Sequence, residues 1–144
     1  MGLSPIAPEV YVLAGVTVRL RADSEVGAFN FYLEREHYLA SSRLAGQALR
    51  YVAEVAGQWV ALLTFSAAAW HLKAREHWIG WSPRQRARRL GLVVSNSRFL
   101  MLPERQHYPN LASCVMGLVL RRLSADWQER WGHPVLVVES FADE

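Results

Sequence analysis

Carboxylates and imidazoles are the side chains that burial tunes toward neutral pH, so general acid-base chemistry in this chain would fall to Glu139, Glu54, His37 or His107. Glu139 lies near the end of the apolar run "PVLVVESF", a place for a partly buried carboxylate, although strand-end acids are also commonly salt-bridged or solvated. Glu54 falls in a hairpin pattern, where a cross-strand partner is expected. The triplet Ser95-Asn96-Ser97 interrupts an apolar run and predicts a bulge or a site. Glu139, Asn96 and His37 are therefore the catalytic candidates.

A second constellation belongs to polyanion chemistry. The stretch "REHWIGWSPRQRARRL" sets Arg75, Arg84, Arg86, Arg88 and Arg89 beside Trp78 and Trp81, with Arg98 further on. Arginines pair with phosphates and tryptophans stack on bases, so the stretch is a candidate DNA or RNA surface. The competing reading is a solvated arginine helix beside tryptophans packed as a wall between the hairpin and the following strand.

Other chemistries find no support. His71 and His77 are six apart, neither His-Glu-x-x-His nor Cys-x-x-Cys occurs, and no metal site is expected. Cys114 is alone and reads as a structural thiol in a reducing cytoplasm. There is no Gly-x-Ser-x-Gly elbow, Walker loop or dinucleotide fingerprint.

These residues need elements to hold them. Val16–Arg21 alternates as a half-buried strand, and Asp23 or Ser24 would cap a helix to about His37. Leu49–Val55 and Gln58–Phe65, split by Ala56-Gly57, predict a hairpin. Ser66 would cap a helical turn through Ala74, and Ser82-Pro83 a short helix to Leu90. Leu90–Leu102 reads as a long strand, and Asn110 would cap a helix over Leu111–Trp131. That helix has a stripe of Leu111, Val115, Leu118, Val119, Leu123 and Trp127, and Gly132 stops it. Pro134–Phe141 is the last strand. The result is one α/β (α+β) domain over residues 1–144, with residues 1–15 as a loose N-terminal segment. Its order is β-α-β-β-(short helices)-β-α-β, with a sheet of about five strands, mostly antiparallel and centrally parallel.

The bulk numbers agree with a folded chain. Of 144 residues, 51% are hydrophobic and 20% charged, enough for one core. The formal charge is only +3, but fifteen of the sixteen cations are arginine, through genome bias as readily as through function. No run reaches the roughly 18 apolar residues of a membrane span, and no signal pattern opens the chain, so a cytoplasmic protein is expected.

The element order resembles the GNAT acetyltransferase superfamily. At the level of residues the chain is more similar to the DUF4338 family, that of the A protein of the Druantia anti-phage system. The likeness is carried by His37-Tyr38-Leu39, Gly46, Leu49-Arg50-Tyr51, Arg75 and Trp78-Ile79-Gly80-Trp81. It continues through Asn96 to Pro103, Asn110-Leu111-Ala112-Ser113, Asp126-Trp127 and Glu139 to Asp143. The resemblance implies prokaryotic anti-phage defence or mobile-element biology, with defence-system protein partners. The GNAT likeness implies an acyltransferase acting with acetyl-CoA or another acyl-CoA, bound where two strands splay. Ser95, Arg105, Asn110, Leu111, Ala112 and Ser113 would lie at the cofactor. Acyl-CoA enzymes of that kind hold pyrophosphate on glycine-rich backbone, yet residues 105–113 contain no glycine. An ordinary helix start or an anion site are the two readings of that segment. The family also implies sequence continuing beyond Glu144. A non-catalytic nucleic-acid-binding module built on Arg75 and Arg84 to Arg89 is the alternative function.

Overall fold

The computed structural model describes residues 9–35, 46–68, 79–102 and 108–140. It contains β1 (Val16–Leu20), β2 (Ala48–Val55), β3 (Gln58–Ala67), β4 (Val93–Met101) and β5 (Val137–Ser140), with helices α1 (Glu9–Ala14), α2 (Val26–Arg35), α3 (Pro83–Arg89) and α4 (Leu111–Trp131). The strands form one sheet whose order follows the chain, antiparallel from β1 to β4 and parallel between β4 and β5. This is the expected α+β class with five strands. The parallel pair lies at one edge and not in the centre, because β3 already occupies the other side of β4.

Local sequence explains the hairpin and the long helix. Ala56 and Gly57 both take positive φ (52° and 78°), as a two-residue turn matched to strand twist requires. In α4 the residues Leu111, Val115, Val119, Leu123 and Trp127 recur at helical spacing and are all buried. Gly132, at φ 85°, ends the helix through its N–H, which donates to Gln128 O at 2.9 Å.

Strand alternation splits the sheet between two cores. Tyr51, Ala53, Leu63 and Phe65 pack with the α4 stripe. On the opposite face Val52, Leu62, Leu100 and Leu102 pack with Phe29 and Leu33 of α2. The clamp between β2 and α4 is polar and partly buried. The Tyr51 hydroxyl donates to Asp126 Oδ2 at 2.7 Å, and the same oxygen accepts from Arg122 Nε at 2.6 Å. Arg122 reaches on to Val18 O at 2.9 Å, so three elements meet on one carboxylate.

Several local expectations give way. Residues 9–14 are helical and bury Val12, so this part of the N-terminal segment belongs to the core. Asp23 and Ser24 lie in a 3-10 turn, Asp23–Glu25, ahead of α2, and Glu25 accepts the Ala22 N–H at 2.8 Å. Ser66 is the strand partner of Ala48 and Ser95, not a helix cap. Leu90–Leu92 is a 3-10 turn, so β4 begins later. β3 pairs directly with β4, leaving no place between them for a tryptophan wall; Ile79 and Trp81 are half-buried. Trp78 and the end of the predicted α2, at His37, lie outside the described residues.

Candidate functional site

The face of the sheet that carries α2 changes character toward the start of β2. Arg21 N–H donates to Arg50 O at 2.8 Å, Arg50 pairs with Thr64, and Thr64 pairs with Arg98. One row further along, Ala48, Ser66, Ser95 and Glu139 are successive cross-strand partners. Two polar rows therefore cross the sheet beyond the apolar part that Phe29 and Leu33 cover. Their periodicity follows from β-pleat: Tyr51 and Phe65 point into the α4 core, which turns Arg50, Thr64 and Ser66 to the opposite face.

Within these rows the Ser95 hydroxyl donates to Glu139 Oε1 at 3.2 Å, and both residues are half-buried. The pair of candidate residues is brought together as register dictates. The expected bulge is present: pairing slips between Thr64 and Phe65, which skips Ser97. Asn96 repairs that slip. Its Nδ2 donates to Thr64 O at 3.2 Å and to Arg98 O at 3.1 Å, while Ser97 Oγ lies 2.9 Å from Thr64 Oγ1. Both amide protons of Asn96 are spent on backbone, so its donors serve the strand and not a reacting group. Arg98 is half-buried and its Nη1 donates to Ser97 O at 2.6 Å.

Glu54 does meet a cross-strand partner. Arg19 Nε donates to Glu54 Oε1 at 2.7 Å, and its other nitrogens grip both oxygens of Glu25 at 2.6 and 2.7 Å. The Arg19 hydrogen bonds, helped by the Ala22 N–H, hold the Glu25 carboxyl down at about 2.

Another set of arginines makes no such ion pair. Among the described residues no carboxylate ion-pairs with Arg21, Arg50, Arg84, Arg89, Arg121 or Arg130. Burial, and then the charge of Arg21, push the Arg50 guanidinium below its ordinary value. Arg84 and Arg89 are exposed on α3. That helix begins as predicted, with Gln85 N–H donating to Ser82 Oγ at 3.2 Å and Ser82 N–H to Gln85 Oε1 at 3.0 Å. Arg75, Arg105, His37 and His107 lie outside the described residues, as do the side chains of Arg86 and Arg88.

Of the residues assigned to acyl-CoA, Ser95 and Asn110 to Ser113 lie among the described residues, where several are engaged by the protein itself. β4 and β5 stay paired from Val93–Val137 to Asn96–Ser140, with no splay over the described span. At the N-terminus of α4 the carboxylate of Glu9 takes the Asn110 backbone N–H at 2.8 Å and its Nδ2 at 3.3 Å. Asn110 consequently makes no side-chain cap. Leu111 has its side chain in the core and its N–H on Tyr108 O at 3.1 Å. Ala112 is half-buried and Ser113 exposed in the first turn. The place where pyrophosphate would bind is thus faced by an anion of the protein itself.

A family model described as "Druantia protein DruA" matches residues 5–143. The chain belongs to that family. It is therefore a Druantia-type protein related to anti-phage defence, and the GNAT likeness remains one of element order. No curated protein and no solved structure matched the chain. No described helix is long and apolar enough to cross a membrane, and the described residues hold no metal-binding cluster.

The sequence did not single out Arg21, Arg50 and Arg130, which line one cleft. Arg50 sat inside a segment carrying the family likeness, but only the pairing of β1 with β2 puts Arg21 beside it.

Proposed function

We propose that this chain is a nucleic-acid-binding component of a Druantia-type anti-phage system, acting as a binding module. The observation that supports the reading is the set of arginines that make no ion pair among the described residues, set against Arg19 and Arg122, which are each paired with acids. A fold that pairs Arg19 and Arg122 so closely and leaves six arginines without an ion pair among the described residues has cationic surface to offer a polyanion. The exposed Arg84 and Arg89 on α3 are its outermost contacts.

Fluorescence anisotropy with a labelled single-stranded oligonucleotide tests the reading. Binding should weaken steeply as salt rises, and Arg84→Ala/Arg89→Ala should reduce the log-log salt slope by roughly 1 to 1.5, about 0.7 per lost phosphate contact. Salt-independent binding, or none to DNA or RNA, rejects it. Heat on titrating acetyl-CoA into the protein would instead favour the acyltransferase reading.

A further inference from the structure

A cleft of about 340 Å3 opens where β1 ends, lined by Leu20, Arg21, Asp23, Arg50, Arg130 and Trp131 among others. Three arginines line it, from β2, the last turn of α4 and the residue after β1, with Asp23 as the one acid in the lining. Glu25, gripped by Arg19, also feels the charge of Arg21 but does not line the cleft.

Aromatic rings hold two of these arginines, Arg21 and Arg130. The Arg130 guanidinium lies 3.9 Å from the centroid of Trp131, and that of Arg21 lies 5.4 Å from the centroid of Phe29. Trp131 is in turn fixed by Nε1–H donating to Ala48 O at 3.3 Å. An aromatic face orients a cation without cancelling its charge, whereas a carboxylate would do both. Arg21 Nε is buried and has no hydrogen-bond partner, an unmet donor at the cleft. Arg130 also complements the negative C-terminal end of the helix dipole. That role accounts for Arg130 but leaves Arg21, just past β1, and Arg50 on β2, like charges side by side, unexplained.

We propose that Arg21, Arg50 and Arg130 form a pocket for a terminal phosphate, a phosphomonoester carried by a nucleic-acid end or by a mononucleotide. Three reasons select that chemistry. Guanidinium forks match phosphate oxygens bidentately. The excess of three cations over one acid suits a monoester, which carries about −1.5 to −2 at pH 7, better than a singly charged internal diester. A cleft of about 340 Å3 is at the small end of ligand pockets, which run roughly 300 to 1,000 Å3, so it takes a chain end and not a duplex. The inference deepens the nucleic-acid reading and, in its nucleic-acid form, rests on it.

The test compares one oligonucleotide in 5′-phosphorylated, 3′-phosphorylated and unphosphorylated forms, together with AMP and adenosine, by anisotropy competition and titration calorimetry. One phosphorylated end should bind about tenfold tighter than the unphosphorylated strand. Arg50→Ala and Arg130→Ala should each abolish that preference, weakening the phosphorylated strand about tenfold more than the unphosphorylated one. Arg130 is exposed on α4, so its variant should keep the circular dichroism and melting temperature of the parent. AMP binding above adenosine, without any oligonucleotide binding, would uphold the pocket and overturn the nucleic-acid reading. Equal binding of all oligonucleotide forms, with no preference for AMP, overturns the pocket and leaves the broader reading standing. A phosphate preference that survives both variants also overturns it.

Discussion

Replacing Tyr51 with Phe removes one oxygen from the clamp between β2 and α4. The Tyr51 side chain is wholly buried, and Phe keeps its ring contacts with Phe65 at 5.9 Å and Arg122 at 5.8 Å. What is lost is the 2.7 Å bond to Asp126, a hydrogen bond to a charged group worth about 1.5 to 3 kcal/mol. Asp126 keeps Arg122, and its side chain is 12% exposed, so water softens the loss toward the lower end, about 1.5 to 2 kcal/mol. At 144 residues that lowers Tm by roughly 5 to 7 °C. Urea unfolding followed by tryptophan fluorescence measures it, with the m-value unchanged. Alkaline pH supplies a second readout. Burial, and then the bond to Asp126, raise the Tyr51 pKa, so the folded state holds its proton after the unfolded state has lost it. The resulting stability is full below about 10 and falls as pH rises beyond that value. Tyr51→Phe lacks this loss, and the stability gap between the two proteins should narrow above pH 10. A loss under about 0.5 kcal/mol at pH 7, or a gap that widens with alkali, refutes the reasoning.

Asn96→Ala should destabilise the fold by about 1 to 3 kcal/mol, since two backbone carbonyls at the bulge lose their donor; thermal melts check this, and an unchanged Tm would release Asn96 from its structural role. Ala56→Gly should stabilise by about 0.5 kcal/mol, because Ala at φ 52° bears a left-handed strain of roughly 1 kcal/mol that Gly avoids, less the extra freedom Gly gives the unfolded chain. Glu25 is held at about 2 in the folded state, so the stability it adds is present above its ordinary value of about 4.3 and lost as pH falls from there toward 2. Because both partners are partly exposed, that contribution is on the order of 1 kcal/mol, and Glu25→Gln should flatten acid unfolding across this window.

Periodic and local signals were legible in the sequence. Six stripe residues, five of them buried and Leu118 half-buried, and a terminal glycine bounded α4, and Ala56-Gly57 marked the hairpin because positive φ suits few residues. The polar triplet at Ser95–Ser97 announced its bulge. Signals that required a distant partner were not legible. Asn110 read as a cap, but Glu9, some hundred residues earlier, competes for its amides. The helix of six residues that carries Glu9 is too short for periodicity to register. Ser66 read as a cap because alanines follow it, while two strands claim its backbone. The cleft was least visible, since Arg21, Arg50 and Arg130 share no spacing and meet only through the sheet and the end of α4.

The sheet whose order repeats the chain's has a kinetic corollary. Each strand from β1 to β4 finds its partner in the neighbouring segment, so the antiparallel meander assembles without closing a large loop around other strands. Only β5 must wait, until α4 has crossed the sheet and returned. A nascent chain can thus zip up in the direction of its synthesis. Substitutions in the β2–β3 hairpin should slow refolding, while those in β5 should chiefly hasten unfolding.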